Sequence, residues 1–175
     1  IITGFFFFFS IFRIFAENLQ APLPPPSRLH GSGAHNRNVK ETDKTMNHNI
    51  EIIKADSRSA RRLFASFGNT LYKDSAFYVP DLEQDILDTF SPKANGAYEF
   101  CESQLFLAMR DGDVVGRVAG IINHRANETW HTQNVRFSYL DFIDDSAVAD
   151  ALLQAVEQWG RDKGMTACQG PMGFT

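Results

Sequence analysis

The stretch "VRFSYLDFIDDSAVADALLQAVEQWGRDKGMTACQGPMGF", Val135 to Phe174, contains the pattern that decides the fold. Its beginning, Val135 to Ile143, is rich in aromatic and β-branched residues, which is typical of a strand. Ser146 to Lys163 then predicts a helix that Gly164 ends, with an apolar stripe at helical spacing formed by Val148, Leu152, Val156 and Trp159. Because Met165 to Phe174 again resembles a strand, the whole stretch predicts a crossover whose helix packs on a sheet.

A hairpin precedes this crossover. The apolar runs "SQLFLAMR" and "VVGRVAGIIN" flank Asp111-Gly112-Asp113, and Asp-Gly between two such runs is a strong turn signal. Further upstream, "IEIIKA" from Ile50 to Ala55 is apolar and β-branched and predicts the first strand.

Two helices are predicted between the first strand and the hairpin. Asp56 or Ser57 caps the first, whose apolar positions at helical spacing are Ala60, Leu63, Phe64, Phe67 and Leu71. The second runs from Leu82 to Phe90 and carries Leu82, Ile86 and Phe90 on one face. The predicted order is therefore β-α-α-β-β-β-α-β, an α/β chain with a mixed α+β sheet.

Composition and charge limit the classes of protein to which this chain can belong. The chain has 175 residues, 43% of them hydrophobic and 22% charged, as in a soluble globular protein. Its net charge of −4 gives no general attraction to nucleic acid or to anionic membranes. The two cysteines, Cys101 and Cys168, form no CxxC pair or Cys/His cluster, so we expect free buried thiols in a reducing cytoplasm and no metal.

Residues 1–45 differ from the rest of the chain. They begin "IITGFFFFFSIFRIF" and continue through "APLPPPS", with no periodic apolar face. We expect a disordered or non-native leader, with Met46 as the natural start and a cytoplasmic protein. The alternative is an exported protein whose signal segment ends near Ala16. Arg13 and Glu17 interrupt the apolar run, which argues against a transmembrane helix.

Three phrases carry a family resemblance. "LYKDSAFYVPDL", "LFLAMRDGDVVGRVAGIINHRANE" and "FIDDSAVADALLQAVEQWGRDKGMTACQGPMGF" resemble the YghO-like branch of the GNAT superfamily of acyl-CoA N-acyltransferases. The resemblance covers Ile50 to Thr175. It implies that residues 46–175 are the N-terminal part of a GNAT-like domain, truncated before its C-terminal strands. We therefore expect this fragment to be inactive by itself.

The resemblance also implies where acyl-CoA or acetyl-CoA binds as co-substrate. Backbone amides of the strand Val135 to Ile143 are expected to hold the pantetheine arm, and the next helix N-terminus the pyrophosphate. Family members present glycines there, whereas this chain has "DDSAVA" with two acids. Helix capping is a full structural explanation for Asp144 and Asp145. Their negative charges also oppose the binding of a phosphate group. The cofactor-binding residues expected at this position are Asp145, Ser146, Ala147 and Val148.

Candidate catalytic residues lie on the same strand. Amide formation needs a base for the amine, and Asp141 lies among apolar neighbours whose desolvation would strengthen it as a base. The alternative is a strand-end residue that faces water. Tyr139 is a candidate general acid for the departing thiolate, or a core aromatic residue.

The segment "NHRANE" supplies His124 as a second candidate base, since histidine titrates nearest neutral pH. Its alternative interpretation is a polar turn that starts at Asn123. Lys93 and Arg117 are interpreted as ordinary surface or snorkelling cations. The tryptophans, Trp130 and Trp159, are interpreted as packing residues.

The sequence thus favours an N-acyltransferase-like domain that transfers an acyl group from acyl-CoA to an amine of a small molecule or peptide. The alternative is a non-catalytic GNAT-like module that binds a ligand or partner and has lost the pyrophosphate loop. Neither hypothesis includes nucleic acid or a membrane as a partner. The sequence "DDSAVA" discriminates between them, because it favours the second.

Overall fold

A computed structural model describes residues 49–175, so the expectations for residues 1–45 lie outside the described part. This part contains five strands and four α-helices, with a 3-10 turn at Gly96–Glu99. The strands are β1 (Glu51–Lys54), β2 (Cys101–Arg110), β3 (Asp113–Asn123), β4 (Asn134–Phe142) and β5 (Ala167–Gln169). The helices are α1 (Arg58–Leu71), α2 (Glu83–Thr89), α3 (His124–Trp130) and α4 (Ser146–Asp162).

The strands form one sheet in the order β1-β2-β3-β4-β5. The first four are antiparallel neighbours, and β5 is parallel to β4 because α4 carries the chain back over the sheet. The predicted mixed α+β sheet is therefore confirmed. The predicted hairpin turn is confirmed as well, with positive φ angles of 53° at Asp111 and 91° at Gly112.

Helix α4 covers one face of the sheet. Its predicted stripe is confirmed, since Val148, Leu152 and Val156 are fully buried and Trp159 is 9% exposed. Two glycines of β3 make this close approach possible. A Cβ atom on Gly116 would lie 2.8 Å from the Leu152 side chain, and one on Gly120 would lie 2.9 Å from the Trp159 ring.

Helices α1 and α2 cover the other face. Ser57 caps α1 by accepting a hydrogen bond from the Ala60 amide at 3.1 Å, as predicted. Phe64 of α1 and Phe90 after α2 meet edge to face with ring centroids 5.7 Å apart. The remaining buried residues of this layer include Ala60, Ile86, Leu105, Leu107 and Ile121.

Three apolar residues predicted to be buried are instead exposed. Leu63 is 46% exposed and Leu82 is 70% exposed, although both fit the helical period of their segments. Trp130, expected to be a packing residue, is 75% exposed at the end of α3. Helical spacing alone did not locate the edge of the buried stripe, because the neighbouring layer covers only part of each helix.

The segment "NHRANE" is a helix rather than a polar turn. Asn123 is its N-cap, and its side chain accepts a hydrogen bond from the Ala126 amide at 2.8 Å. The turn interpretation failed because an asparagine that starts a turn is also a favourable cap.

The predicted strand Met165 to Phe174 is much shorter than expected. Only Ala167–Gln169 pairs with β4, and a cis peptide bond follows between Gly170 and Pro171. The chain then leaves the sheet, and Phe174 is buried against the Phe90 ring at 5.6 Å. Proline cannot donate a ladder hydrogen bond, which explains why the strand stops.

None of the helices in the described part of the chain has the length and apolar character that a bilayer span needs.

Candidate active site

The strands β4 and β5 separate soon after they meet. Their pairing covers Asn134 to Arg136 on β4, and the Met172 amide then donates to the Phe137 carbonyl at 2.8 Å. The ladder between the two strands, as the structure describes it, extends no further. The second half of β4, from Ser138 to Phe142, therefore borders an opening in the sheet.

A β-bulge lies in this half of β4. Ala119 of β3 pairs with Ser138 and Arg117 pairs with Asp141, so β4 has one extra residue between these pairs. Tyr139 adopts a positive φ of 50° at this point. Bulges redirect side chains, and this one leaves both Tyr139 and Asp141 on the face covered by α1.

Arg117 is the most buried charged residue of the site, with a side chain only 2% exposed. Its Nε donates to Asp141 Oδ2 at 2.8 Å, and its Nη2 lies 2.7 Å from the same oxygen. Its Nη1 donates to the α1 carbonyls of Phe64 and Ala65 at 2.6 and 3.2 Å. The interpretation of Arg117 as a surface or snorkelling cation is therefore wrong.

Gly68 of α1 makes room for this guanidinium group. A Cβ atom at Gly68 would lie 2.6 Å from Arg117 Nη2, which is closer than side chains tolerate. The α1 carbonyls and the Asp141 carboxylate therefore hold Arg117, in space that Gly68 leaves free.

Tyr72, at the end of α1, completes the network. Its hydroxyl donates to Asp141 Oδ1 at 3.0 Å. Burial, followed by the negative charge of Asp141 and this hydrogen bond, raises the pKa of Tyr72 to about 12. The phenol therefore keeps its proton at neutral pH. Sequence reasoning missed this residue, although it lies within the quoted phrase "LYKDSAFYVPDL".

Tyr72 should titrate late when the pH rises. Its folded pKa is raised above the ordinary value of 10.0, so its stabilising contribution is complete below pH 10 and is lost as the pH approaches 12. The melting temperature of the unmodified chain should fall more steeply over this window than that of the Tyr72→Phe variant. Phenolate absorbance measured against pH provides the direct check. A chain and variant with parallel stability profiles would contradict the Tyr72–Asp141 contact.

Tyr139 lies deeper than Tyr72 and contacts the apolar core. Its ring is 5.4 Å from the Phe90 ring and 5.3 Å from the Arg117 guanidinium carbon. Burial raises the pKa of Tyr139, so this phenol also retains its proton. The structure therefore brings Asp141 and Tyr139 together around Arg117.

His124 lies at the opposite end of the sheet. It begins α3, is 57% exposed, and its Nε2 lies 3.2 Å from Glu102 Oε1. Glu102 also contacts Lys163 at 2.7 Å. Because β3 rises about 3.3 Å per residue, His124 is roughly 20 Å from Arg117 and Asp141. These two candidate bases do not share a site.

The N-terminus of α4 is occupied by its own cap. Asp145 Oδ1 accepts a hydrogen bond from the Ala147 amide at 2.9 Å, and its backbone carbonyl accepts one from Val148 at 3.1 Å. The other carboxylate oxygen, Oδ2, lies 2.5 Å from Arg110 Nη2 at the end of β2. Arg110 thus balances one of the two acids, which the sequence pattern did not indicate.

The described residues contain no group of three or more histidine, cysteine, aspartate or glutamate side chains arranged to hold a metal ion. Of the two thiols, Cys101 is buried and Cys168 is partly exposed. Burial raises the pKa of Cys168 to about 12, so this thiol is not activated as a nucleophile.

Comparison with known proteins gives two partial relatives. The chain is 28% identical over 130 residues to a bacterial ceramide synthase from Caulobacter vibrioides, covering 74% of this chain and 34% of that protein. It is 29% identical over 110 residues to Protein YghO from Escherichia coli, covering 63% and 28%. The chain spans about a third of the length of these curated relatives. No family model matches it.

Solved structures define the class of fold. A tandem GNAT protein from the clavulanic acid biosynthesis pathway matches with a TM-score of 0.50 at 14% identity, covering 66% of this chain and 34% of that one. AAC(6')-Iy in complex with the bisubstrate analog CoA-S-monomethyl-acetylneamine matches at 0.50 and 16%, covering 71% and 80%. A predicted acetyltransferase with acetyl-CoA from Clostridium acetobutylicum matches at 0.50 and 11%, covering 71% and 81%.

The chain therefore has the fold of the GNAT superfamily, and the resemblance inferred from its sequence is confirmed at that level. Its sequence is similar to Protein YghO and to the bacterial ceramide synthase.

Proposed function

We propose that this chain is the acyl-CoA-binding part of an N-acyltransferase. The observation that carries the proposal is the opening between β4 and β5, which lies beside the Tyr72–Asp141–Arg117 network in a GNAT fold. The opening suits an extended, amide-containing ligand such as the pantetheine arm, which could lie along β4 as a neighbouring strand would.

The proposed reaction joins an amine to an acyl group. The neutral amine nitrogen attacks the thioester carbonyl carbon, the new C–N bond forms, and the C–S bond breaks. The amine proton goes to a base, and the thiolate takes a proton from an acid. We propose Asp141 as the base, with Tyr72 and Tyr139 as the candidate acids. His124, roughly 20 Å from Asp141, takes no part in the proposed step.

Binding of the pyrophosphate group is proposed at Asp145, Ser146, Ala147 and Val148. The Asp145 carboxylate now accepts the Ala147 amide hydrogen bond and pairs with Arg110, as an anionic ligand would. A phosphate group fits this terminus only after that carboxylate turns away, which would free both donors. Arg110 would then offer a positive charge to the phosphate, in place of the backbone donors that a glycine-rich loop presents.

The acceptor is proposed to be an amine of a small molecule or peptide. Similarity to a bacterial ceramide synthase favours a small amine with a long alkyl chain, because a ceramide is the amide of a long-chain amino alcohol. The acyl chain is left open between acetyl and longer groups.

Release of free thiol from acyl-CoA in the presence of amines tests this function. We expect Asp141→Asn to lower any turnover by about two orders of magnitude or more, since general-base catalysis typically contributes about 10²–10⁴-fold. Asparagine keeps an oxygen for Arg117, so the change removes basicity with little change in shape. Asp162→Asn, at the exposed far end of α4, is the matched control. Turnover that is indifferent to Asp141→Asn would reject Asp141 as the base.

A second candidate function is a non-catalytic module that binds a ligand or partner. The contacts of Asp145 favour it, because they fill the helix terminus that GNAT-like pyrophosphate binding would use. Thermal unfolding with acetyl-CoA and longer acyl-CoAs separates the two hypotheses. A ligand at 100 times its Kd should add about 2.7 kcal/mol of stability. A chain that no acyl-CoA stabilises would be the binding module.

A further inference from the structure

Asn69, near the end of α1, is bonded to the loop that connects α1 with α2. Its Nδ2 donates to the Asp81 carbonyl at 3.0 Å, and its Oδ1 accepts from the Asp81 amide at 3.0 Å. The same Oδ1 accepts from the Tyr78 hydroxyl at 2.8 Å. One amide side chain thus pairs with the loop through its donor and its acceptor, and both lone pairs of the acceptor oxygen are used.

The loop itself, residues 72–82, lies largely in solvent. Its apolar side chains do not anchor it, since Phe77 is 96% exposed and Val79 is 81% exposed. A segment with so little apolar burial opens easily unless other contacts hold it. The hydrogen bonds from Asn69 tie the loop to α1, and we call these three bonds the Asn69 tether.

The Asn69 tether reaches the candidate active site through two tyrosines. The Tyr78 ring packs against the Tyr72 ring, with centroids 5.1 Å apart and an interplanar angle of 43°. The Tyr72 hydroxyl in turn donates to Asp141 Oδ1 at 3.0 Å. A chain of direct contacts therefore leads from Asn69 to the carboxylate of the site.

The loop and the buried cation of the site meet on one turn of α1. A Cβ atom at Gly68 would lie 3.3 Å from the Tyr78 hydroxyl oxygen and 2.6 Å from Arg117 Nη2. Both groups therefore lie over the same glycine. The negative charge of Asp81 also acts on the site, because after burial it is the next cause of the raised pKa of Tyr139.

Tyr72 needs this support because it stands where α1 ends. It is the C-cap residue of the helix and is 37% exposed. An exposed side chain changes rotamer on a fast timescale unless a neighbour restricts it. Tyr78 is the neighbour that packs on the Tyr72 ring, and Asn69 holds Tyr78.

We propose that Asn69 is a positioning residue of the candidate active site, which fixes the loop so that Tyr78 packs on Tyr72 and the Tyr72 hydroxyl stays on Asp141. The inference rests on the proposed function for the reaction that Tyr72 would serve, and on the contacts alone for the position of Tyr72. Without Asn69, we expect the Tyr78 ring to move away and Tyr72 to exchange its carboxylate partner for water.

The titration of Tyr72 reports its position without any substrate. In the unmodified chain, burial followed by the charge of Asp141 raises the pKa of Tyr72 to about 12. Asn69→Ala should remove both causes and lower this pKa toward the ordinary value of 10.0. NMR of the full chain with carbon-13 at the tyrosine Cζ atoms follows each phenol, and the signal that is missing from Tyr72→Phe identifies Tyr72.

Asn95→Ala is the matched control. The Asn95 side chain pairs with backbone in the same way, since it donates to the Thr89 carbonyl at 2.8 Å and accepts from the Ala97 amide at 2.9 Å. Its removal loosens the loop after α2 and should leave the Tyr72 titration unchanged. Equal shifts in the two asparagine variants would mean a general loosening of the fold and would reject the inference.

Tyr78 offers a second test of the same chain of contacts. Tyr78→Phe removes one hydrogen bond of the Asn69 tether but keeps the ring on Tyr72, so the pKa of Tyr72 should fall less than in Tyr78→Ala. Tyr78→Ala also decides the matter if Asn69→Ala does not fold. An unchanged Tyr72 titration in Tyr78→Ala, or in folded Asn69→Ala, contradicts the inference.

Turnover separates this inference from the proposed function. If the full chain acylates amines, Asn69→Ala should lower kcat about tenfold or more, since a misplacement of about 1 Å can cost on the order of 10²-fold. The KM for acyl-CoA should change little, because the opening lies between β4 and β5 and outside the loop. A shifted Tyr72 titration with an unchanged kcat would show that Asn69 holds the loop without serving the reaction, and would reject the inference. If no amine is acylated, the proposed acyl transfer fails, and the titration alone decides whether Asn69 positions Tyr72.

Discussion

Replacing Asp141 with alanine is expected to lower the free energy of unfolding by about 3–5 kcal/mol. The change leaves the Arg117 guanidinium, only 2% exposed, without its carboxylate partner. A buried charge that loses its partner is far more costly than the pair is favourable, because its desolvation is no longer offset. Urea unfolding of the unmodified chain and the variant measures the difference.

A double variant tests the reason for this loss. Adding Arg117→Met removes the stranded charge, so the pair of changes should be less destabilising than the sum of the two single changes. The exposed Arg161–Glu157 pair is the matched control, and Glu157→Ala should cost no more than about 1 kcal/mol. If Asp141→Ala costs as little as this control, Arg117 is not held as described.

Replacing Trp159 with alanine should cost a similar amount, about 3–5 kcal/mol, for a different reason. Trp159 is 9% exposed and fills the space above Gly120 on β3. Its removal loses apolar burial and leaves a cavity between α4 and the sheet. Thermal or urea unfolding provides the measurement.

Gly120→Ala supplies the check on this packing. In the unmodified chain the new methyl group would meet the Trp159 ring at 2.9 Å, so the substitution should be destabilising. In the Trp159→Ala background the ring is absent, and the same methyl group should be tolerated or even partly fill the cavity. Additive effects of the two substitutions would show that Gly120 and Trp159 are not in contact.

The sequence predicted the layer formed by α4 because that signal is local. Val148, Leu152 and Val156 recur at the helical period within one element, and all three are fully buried. The turn at Asp111-Gly112 was equally predictable from sequence, since two residues determine its type. Local patterns predicted most of the elements and their order, but not helix α3 or the short extent of β5.

The candidate site was harder to predict because it depends on residues far apart in the chain. Arg117 interrupts an otherwise apolar strand, and its partner Asp141 lies 24 residues away. Tyr72 is 69 residues from Asp141. The bulge at Tyr139 sets which side chains of β4 face α1, and no local pattern in "VRFSYLDFI" indicates it. The family resemblance therefore pointed to Asp141 and Tyr139, on the strand expected to hold the cofactor, but not to their neighbours.

The sequence contains a signal for the early end of β5. Gly170-Pro171 interrupts the stretch Met165 to Phe174, and proline within a strand pattern argues for an edge or an ending. The steric reason for the glycine is visible only in the fold, where a Cβ atom at Gly170 would overlap the Phe137 ring.

The course of the chain after β5 has a consequence for cooperativity. The segment leaves the sheet beside β4 and inserts Phe174 into the layer formed by α1 and α2, where the Asn123 side chain also donates to its carbonyl at 2.7 Å. The same residues follow directly from the crossover helix on the opposite face. The short segment from β5 to Phe174 thus connects the two helical layers, so disruption of either layer should weaken the packing of the other. We therefore expect the two faces to unfold together as one cooperative unit.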